Sequence, residues 1–328
     1  MSAGAPTDEE IVACIQEPGV VRIERRPYPY ATSYPLEEVT ALLDDGRTLG
    51  LILKDLTWDR LLGDARRTKP RFLYEPRRCI ETYRCILQGS GVGTTCHGAF
   101  SDDASGRHWI LVEKVPGVEL WQIGDLGTWE SVARWLAGFH RSFADEGERV
   151  MRRNPHLLRY DSEFLRMWPP RALDVASRHD TVGDELRRLA DLVAGYEQVV
   201  DRLTAVPPSF LHGELYPSNV LVDCADGGVA VWPIDWEMAG AGPPLMDLAA
   251  LTAGWEGEEQ AMLVDAYFEE LGPAPWLGPA GEAGALLDAC RLHYAVQWLG
   301  WSPDWSPPPE HARDWVSEAM RLGERLGL

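Results

Sequence analysis

The chain has 328 residues, 45% of them hydrophobic, and a formal net charge of −20 at pH 7, which is enough length for two packed lobes and enough apolar material for sizeable cores. Residues 1–115 hold 17 acids against 15 bases and residues 116–328 hold 34 against 16, so the second part carries a field that repels nucleic acid and anionic membranes and favours cationic ligands. No apolar run reaches the roughly 18 residues of a membrane span, the N-terminus lacks a signal-peptide pattern and the six cysteines form no CxxC pair, so a cytoplasmic protein with reduced thiols and no zinc site is expected.

In chain order, residues 19–25, 36–43 and 49–53 predict an antiparallel meander, with Asp44-Asp45-Gly46 turning between the last two strands. Lys54 ends the third strand after an apolar run, where its ammonium can leave the sheet and enter a cleft. The loop between the first two strands, RRPYPYATSYP, contains no glycine. Its Thr32 and Ser33 supply hydroxyls and amides of the kind that meet phosphate. Residues 76–87 place proline at a first helical position and Ile80, Tyr83 and Leu87 on one face, predicting a helix packed behind Lys54. Residues 109–115 predict a strand running into Pro116-Gly117, the joint between an N-terminal lobe, 1–115, and a C-terminal lobe, 116–328.

In the second lobe, residues 129–143 and 185–203 each space apolar side chains by three and four and predict two core helices. His140, on the first stripe, reads as a satisfied core histidine. The segment 152–178, with its MWPPRALD stretch, interrupts this scaffold and is expected to contribute to an acceptor pocket. The final third is helical and rich in tryptophan, with Trp298, Trp301, Trp305 and Trp315 around the breaker SPDWSPPPE. These rings read as core, and an aromatic wall beside acid also suits a cation.

The densest chemistry lies in residues 210–237, FLHGELYPSNVLVDCADGGVAVWPIDWE. Two short apolar runs, 220–222 and 229–231, flank Asp226-Gly227-Gly228 and predict a β-hairpin. A turn centred on Gly227 sets Asn219 opposite Asp235, bringing an amide oxygen beside a carboxylate. Two hard oxygen donors side by side suit Mg²⁺ when water and nucleotide phosphates complete its shell. Glu214, on the turn after the Phe210-Leu211 strand, brings a third oxygen group to the same end. Each residue alone is an ordinary turn former or cap; the constellation is not.

HGELYPSNVLV followed by PIDWE resembles the catalytic segment HGDxxxxN…(I/V)D(W/F) of the aminoglycoside phosphotransferase and choline kinase superfamily, distant relatives of protein kinases. The resemblance implies an α+β, two-lobed, protein-kinase-like fold. A small antiparallel β lobe with one main helix would bind nucleotide, and a larger, mainly helical lobe would carry the catalytic loop, metal site and acceptor site. It further implies transfer of the γ-phosphate of ATP or GTP to a hydroxyl of a small metabolite, a cationic one suiting the acidic lobe. In the family pattern Asn219 and Asp235 hold Mg²⁺, and Lys54 grips the α- and β-phosphates. Thr32 and Ser33 lie in the phosphate-covering loop, and Glu113, Lys114 and Val115 present backbone groups to adenine. Glu214 orients or deprotonates the acceptor hydroxyl, His212 packs under the loop, and Asp247 anchors it through backbone hydrogen bonds.

Two positions depart from that pattern. Glu214 stands where the family has aspartate, and Cys79 stands where the family has the glutamate that pairs with the strand lysine, leaving Glu75 and Glu81 as the nearest acids in sequence. Glu237 has no role in this reading. A Ser/Thr kinase acting on a peptide in natural-product maturation and a nucleotide-binding pseudokinase scaffold are the alternative readings.

Overall fold

The computed structural model describes residues 4–29, 31–178, 183–277, 280–304 and 314–328. Helix α1 (Asp8–Cys14) opens on a capping box between Thr7 and Glu10, and strands β1 (Val20–Pro27), β2 (Leu36–Leu43) and β3 (Thr48–Asp55) follow as the expected meander. The short helix α2 (Ala65–Thr68) and helix α3 (Pro76–Glu81), which continues as a π-helical stretch over Thr82–Leu87, precede β4 (Cys96–Asp102) and β5 (Arg107–Glu113). The five strands form one antiparallel sheet in the order β1-β2-β3-β5-β4.

Alternation along the strands gives this sheet two different faces. Val39, Ala41, Leu51, Leu53, Trp109 and Leu111 bury on one face under Ile11 of α1 and the following Ile15. Arg107 pins that helix by a two-pronged bond to Glu10. Lys54 follows Leu53, so it falls on the opposite face, where Cys79, Ile80 and Tyr83 of the α3 segment pack with Ile110. Helix α1 and strand β4 were absent from the sequence reading.

The remainder contains short strands in two sheets and nine helices among the described residues. Strands β6 (Val118–Glu119), β7 (Leu158–Arg159), β8 (Ser209–Leu211), β9 (Val220–Asp223), β10 (Ala230–Pro233) and β11 (Gly240–Gly242) pair in the orders β10-β9-β6 and β7-β11-β8. The helices are α4 (Leu126–Ser142), α5 (Gly147–Arg153), α6 (Ser162–Arg178), α7 (Gly183–Gly195), α8 (Glu197–Thr204), α9 (Leu245–Leu251), α10 (Gly257–Leu271), α11 (Ala280–Leu299) and α12 (Trp315–Leu326). One hydrophobic cluster runs from Cys79 and Ile80 on α3 through Leu136 and Phe139 on α4 to Leu292 and Val296 on α11. The two parts of the chain therefore share a core, with the loop-rich sheets between them. Among the described residues, no helix is long and apolar enough to cross a membrane.

One expectation is corrected. The helix predicted over 185–203 is two helices, α7 and α8, because the chain turns at Tyr196, after the weak helix former Gly195, and buries the Tyr196 hydroxyl 2.9 Å from His293 Nδ1. The 152–178 segment, expected to contribute to an acceptor pocket, contains β7 and α6. Its α6 docks on the end of α11, where Trp168 stacks on Trp301 at 6.0 Å and Arg171 donates to the carbonyls of Gly300 and Trp301.

Candidate active site

The loop after β8 is fixed by backbone hydrogen bonds. Asp247, buried at the start of α9, accepts from the amides of His212 at 2.8 Å and Gly213 at 2.9 Å. The buried His212 ring sits 2.8 Å from the Ile234 carbonyl and ties the loop to the end of the hairpin. Gly213 has φ +84°, and a Cβ there would lie 2.2 Å from both the Met238 carbonyl oxygen and the Tyr160 hydroxyl, so only glycine fits. The next residue, Glu214, is thereby held on a fixed stretch of backbone, its amide 3.3 Å from His212 Nδ1. His140 is a core histidine, as expected, with Nδ1 2.8 Å from the Tyr267 hydroxyl.

The hairpin pairs one residue out from the sequence expectation. Asp223 faces Ala230 and Val220 faces Pro233, and the Ile234 amide donates to the Asn219 carbonyl at 2.9 Å. Asn219 therefore opposes Ile234, not Asp235. The connection is longer than a two-residue turn and contains a 3₁₀ turn over Ala225–Gly227, which moves its centre off Gly227. Asp235 compensates by adopting the left-handed conformation, φ 66° and ψ 64°, which aspartate tolerates better than most residues. Asn219 Nδ2 donates to the Glu214 carbonyl at 2.9 Å, so Glu214, Asn219 and Asp235 end within one small region.

Into this region the N-terminal sheet brings Lys54, whose Nζ donates to Asp235 Oδ1 at 2.6 Å. The same ammonium forms an ion pair with Glu237 Oε1 at 2.8 Å. Lys69, from the segment after α2, pairs with Glu237 Oε2. Both ammoniums also lie over the Tyr34 ring, at 5.2 and 4.9 Å from its centroid, a favourable position for a cation. Glu237 and Lys69 are the members of the cluster that sequence reasoning missed. Lys69 follows Arg66 and Arg67 and is not distinguished from them by pattern. Glu237 follows the aspartate motif immediately, the one signal that pointed to it.

Glu237 also answers which acid holds Lys54 when Cys79 cannot. The alternatives are engaged elsewhere: Glu75 caps α3 and pairs with Arg77, and Glu81 pairs with Arg84. Arg78 of α3, itself buried, donates to the carbonyls of Glu237, Leu73 and His156. The helix behind Lys54 thus orients the acid through its backbone.

Burial disfavours the Lys54 ammonium, but Asp235 and Glu237 outweigh it and hold its pKa well above the ordinary lysine value. Burial likewise opposes ionisation of Glu237, and the charges of Lys54 and Lys69 overcome it, so this carboxyl lies below the ordinary range. Asp235 is raised by burial and by the Glu237 charge. Burial pushes Glu214 up to about 8, with Lys69 opposing and Asp235 and Glu237 adding to the shift. Burial pushes the Cys79 thiol up to about 12, leaving it neutral and unable to serve as a counterion.

The remaining predicted residues lie around the cluster. Thr32 is exposed and the Ser33 carbonyl accepts from the Leu62 amide; from their loop it is Tyr34 that reaches the lysines. The amides of Glu113 and Lys114 are committed to the sheet, donating to Thr95 and Gly50, and the Lys114 ammonium turns outward to Glu38. Of the three amides only that of Val115 has no partner among the described residues.

Beside the loop, α9, α10, α11 and α12 enclose a cavity of about 790 Å³ whose lining includes Tyr216, Trp298, Trp315, Glu256 and Asp314. Trp298 stacks on Trp315 at 6.0 Å and contacts Tyr216 at 5.2 Å. Tyr294, another wall residue, donates its hydroxyl to the Gly213 carbonyl at 2.8 Å, joining the cavity to the loop. Of the four tryptophans singled out, Trp298 and Trp315 line this wall, Trp301 is partly buried and packs against the core, and Trp305 lies outside the described residues.

Residues 86–285 match the model of the phosphotransferase enzyme family. No curated protein sequence matches the chain. Among solved structures, a microcompartment-associated aminopropanol kinase superposes with a TM-score of 0.59 at 16% identity, over 94% of this chain and 91% of that one. The GDP complex of wild-type aminoglycoside 2'-phosphotransferase-IIIa gives 0.56 at 13% identity, over 94% and 93%. Plasmodium vivax ethanolamine kinase gives 0.55 at 14% identity, over 93% and 82%. At these identities the likeness is one of fold.

Proposed function

The chain belongs to the phosphotransferase enzyme family, and from that premise we propose that it transfers the γ-phosphate of ATP or GTP to a hydroxyl of a small metabolite. Residues 1–115 form the nucleotide lobe in this reading, and residues 116–328 carry the catalytic loop and the acceptor cavity. The observation that carries the reading is the 2.6 Å bond between Lys54 and Asp235, 181 residues apart in sequence, in the region where Glu214 and Asn219 also lie.

The donor set suits a magnesium ion. Asn219 spends its Nδ2 on the Glu214 carbonyl, so its oxygen remains for a cation, and Asp235 follows the Ile234 that bonds to the Asn219 backbone. One amide oxygen and one carboxylate fall short of a closed protein cage, the pattern Mg²⁺ takes when water and phosphate complete its shell. Asn219 and Asp235 would hold the ion, which would neutralise charge on the nucleotide phosphates.

The chain's own residues do the rest by position and charge. Lys54 exchanges its bond to Asp235 for the phosphates, with Glu237 keeping the ammonium in place. The Val115 amide and neighbouring carbonyls meet the nucleobase at the joint between lobes. Glu214 accepts the proton of the acceptor hydroxyl as the new O–P bond forms and the bond to the departing nucleoside diphosphate breaks. Lys69 favours the charged carboxylate that this requires. In the cavity beside the loop, Trp298 and Trp315 with Glu256 and Asp314 suit an amino group on the acceptor.

Thermal unfolding with ATP or GTP, with and without Mg²⁺, tests the reading, because a ligand that binds the native state raises the melting temperature by mass action. A Mg²⁺-dependent rise with at least one nucleotide is expected. No rise with either at millimolar concentration would remove the phosphotransfer reading.

A further inference from the structure

The acceptor cavity is lined by a cation, Arg291, one edge of which has no hydrogen-bond acceptor among the described residues. Arg291 lies on α11 one turn before Tyr294, whose hydroxyl is bonded to the Gly213 carbonyl, so it lines the cavity on the wall that reaches the catalytic loop. Only 13% of its side chain is exposed. Its counterion is Asp288, which is 3.5 Å from Arg291 Nη1 but 2.7 Å from Arg325 Nη2. Two guanidiniums thus share one carboxylate. The third arginine of this wall, Arg321, is already held by Glu318 through two bonds of 3.0 and 2.7 Å.

Arg291 Nε and Nη2 are buried and have no hydrogen-bond partner among the described residues. Those two N–H groups form the side edge of the guanidinium, the edge that receives a carboxylate with two parallel bonds. A buried guanidinium edge left without an acceptor is costly in the empty protein, and an oxyanion supplied by a ligand removes that cost. Burial lowers the Arg291 pKa from its ordinary value while Asp288 opposes the shift, consistent with a desolvated cation short of counter-charge. The feature stands out because residues 116–328 are otherwise strongly acidic.

We propose that Arg291 receives a carboxylate of the acceptor, so that the substrate class is a small hydroxylated carboxylic acid rather than a simple amino alcohol. The ligand enters from the cavity, the guanidinium leaves the long Nη1–Asp288 contact and presents its Nε–Nη2 edge to the ligand, and Asp288 stays with Arg325. The carboxylate at Arg291 and any amino group against Trp298 and Trp315 then fix the two ends of a zwitterion, with its hydroxyl directed to the loop. This rests on the phosphotransfer reading.

The test uses hydroxycarboxylic acids with the hydroxyl two to five carbons from the carboxylate, with and without an α-amino group, each paired with its own primary amide. Transfer from labelled Mg²⁺-nucleotide is measured for the full chain, Arg291→Gln and Arg291→Lys. In the wild type, kcat/KM should favour the acid over its amide by about tenfold or more. That ratio should fall toward one in Arg291→Gln and be partly kept in Arg291→Lys, with the KM for nucleotide unchanged. If Arg291→Gln does not fold, the wild-type ratio decides alone. A ratio near one in the wild type, a ratio that survives Arg291→Gln, or faster transfer to hydroxyalkyl phosphates would overturn the carboxylate assignment. The Mg²⁺-nucleotide shift in melting temperature is recorded on the same samples. With that shift present and no preference for acids, this inference falls and the phosphotransfer reading stands. Without that shift the phosphotransfer reading falls, and the inference falls with it unless the acids themselves raise the melting temperature of the wild type and not of Arg291→Gln.

Discussion

Glu237 Oε1 lies 2.8 Å from Lys54 Nζ, so the acid that holds the strand lysine comes from the loop after the hairpin and not from helix α3. The same carboxylate pairs with Lys69. One acid therefore serves two lysines, and its loss leaves two largely buried ammoniums, of which Lys54 keeps Asp235 and Lys69 keeps no ion-pair partner among the described residues.

Glu237→Gln should destabilise the protein by about 3 kcal/mol or more, the usual consequence of removing one member of a buried charge pair. Urea unfolding of the wild type, Glu237→Gln and Glu237→Asp measures it, and the aspartate variant should retain part of the loss. A Glu237→Gln protein as stable as the wild type would show that the three-residue cluster is held by something else.

Asp235→Asn should weaken Mg²⁺-nucleotide binding by about tenfold or more, since the amide keeps the shape and loses the charge that a hard cation needs. Isothermal titration in the presence of Mg²⁺, with circular dichroism to confirm the fold, gives the answer. Unchanged affinity would move the metal site away from the end of the hairpin.

Gly213→Ala should cost at least about 2 kcal/mol and abolish transfer, because the position combines φ +84° with a Cβ 2.2 Å from two oxygens. Melting temperature and activity should fall together. A folded, active alanine variant would mean that the loop is looser than its geometry indicates.

His293 supplies a pH dependence. Burial lowers its pKa to about 3, against about 6.5 in an unfolded chain, so between those values the unfolded state binds the extra proton. Stability from this group is fully present above about pH 6.5 and falls by about 1.4 kcal/mol per unit as pH drops toward 3. Comparing urea unfolding of the wild type and His293→Gln between pH 7 and 4.5 isolates the effect, since the variant should show the shallower slope. Parallel slopes would place the acid sensitivity elsewhere.

The elements with strong periodicity were legible in the sequence: the β2–β3 meander, the α3 segment and α4. The loop anchored by Asp247 was legible through the resemblance of HGELYPSNVLV and PIDWE to the family's catalytic segment, not through periodicity. The hairpin register was misjudged by one residue, since Cys224 and Val229 flank the turn without a pattern that says which of them pairs. Lys69 and Glu237 were not legible as partners because their contact joins segments 168 residues apart, and no local spacing records it. Arg291 was missed for a similar reason. Its significance comes from a side edge, Nε and Nη2, that has no partner among the described residues, which only packing reveals.

The most direct test of the central claim is labelled phosphate transfer by the wild type, Glu214→Gln and Glu214→Asp, run with Mg²⁺ and a panel of hydroxylated acids, amines, aminoglycosides, sugars and basic peptides. With Glu214 as the base, the wild type transfers phosphate to at least one small hydroxylated acceptor. Glu214→Gln still binds Mg²⁺-nucleotide but loses transfer by about 100-fold or more, and Glu214→Asp is slower than the wild type because its shorter arm falls short by about 1 Å. Transfer that survives Glu214→Gln undiminished, or that is faster in Glu214→Asp than in the wild type, would contradict the account.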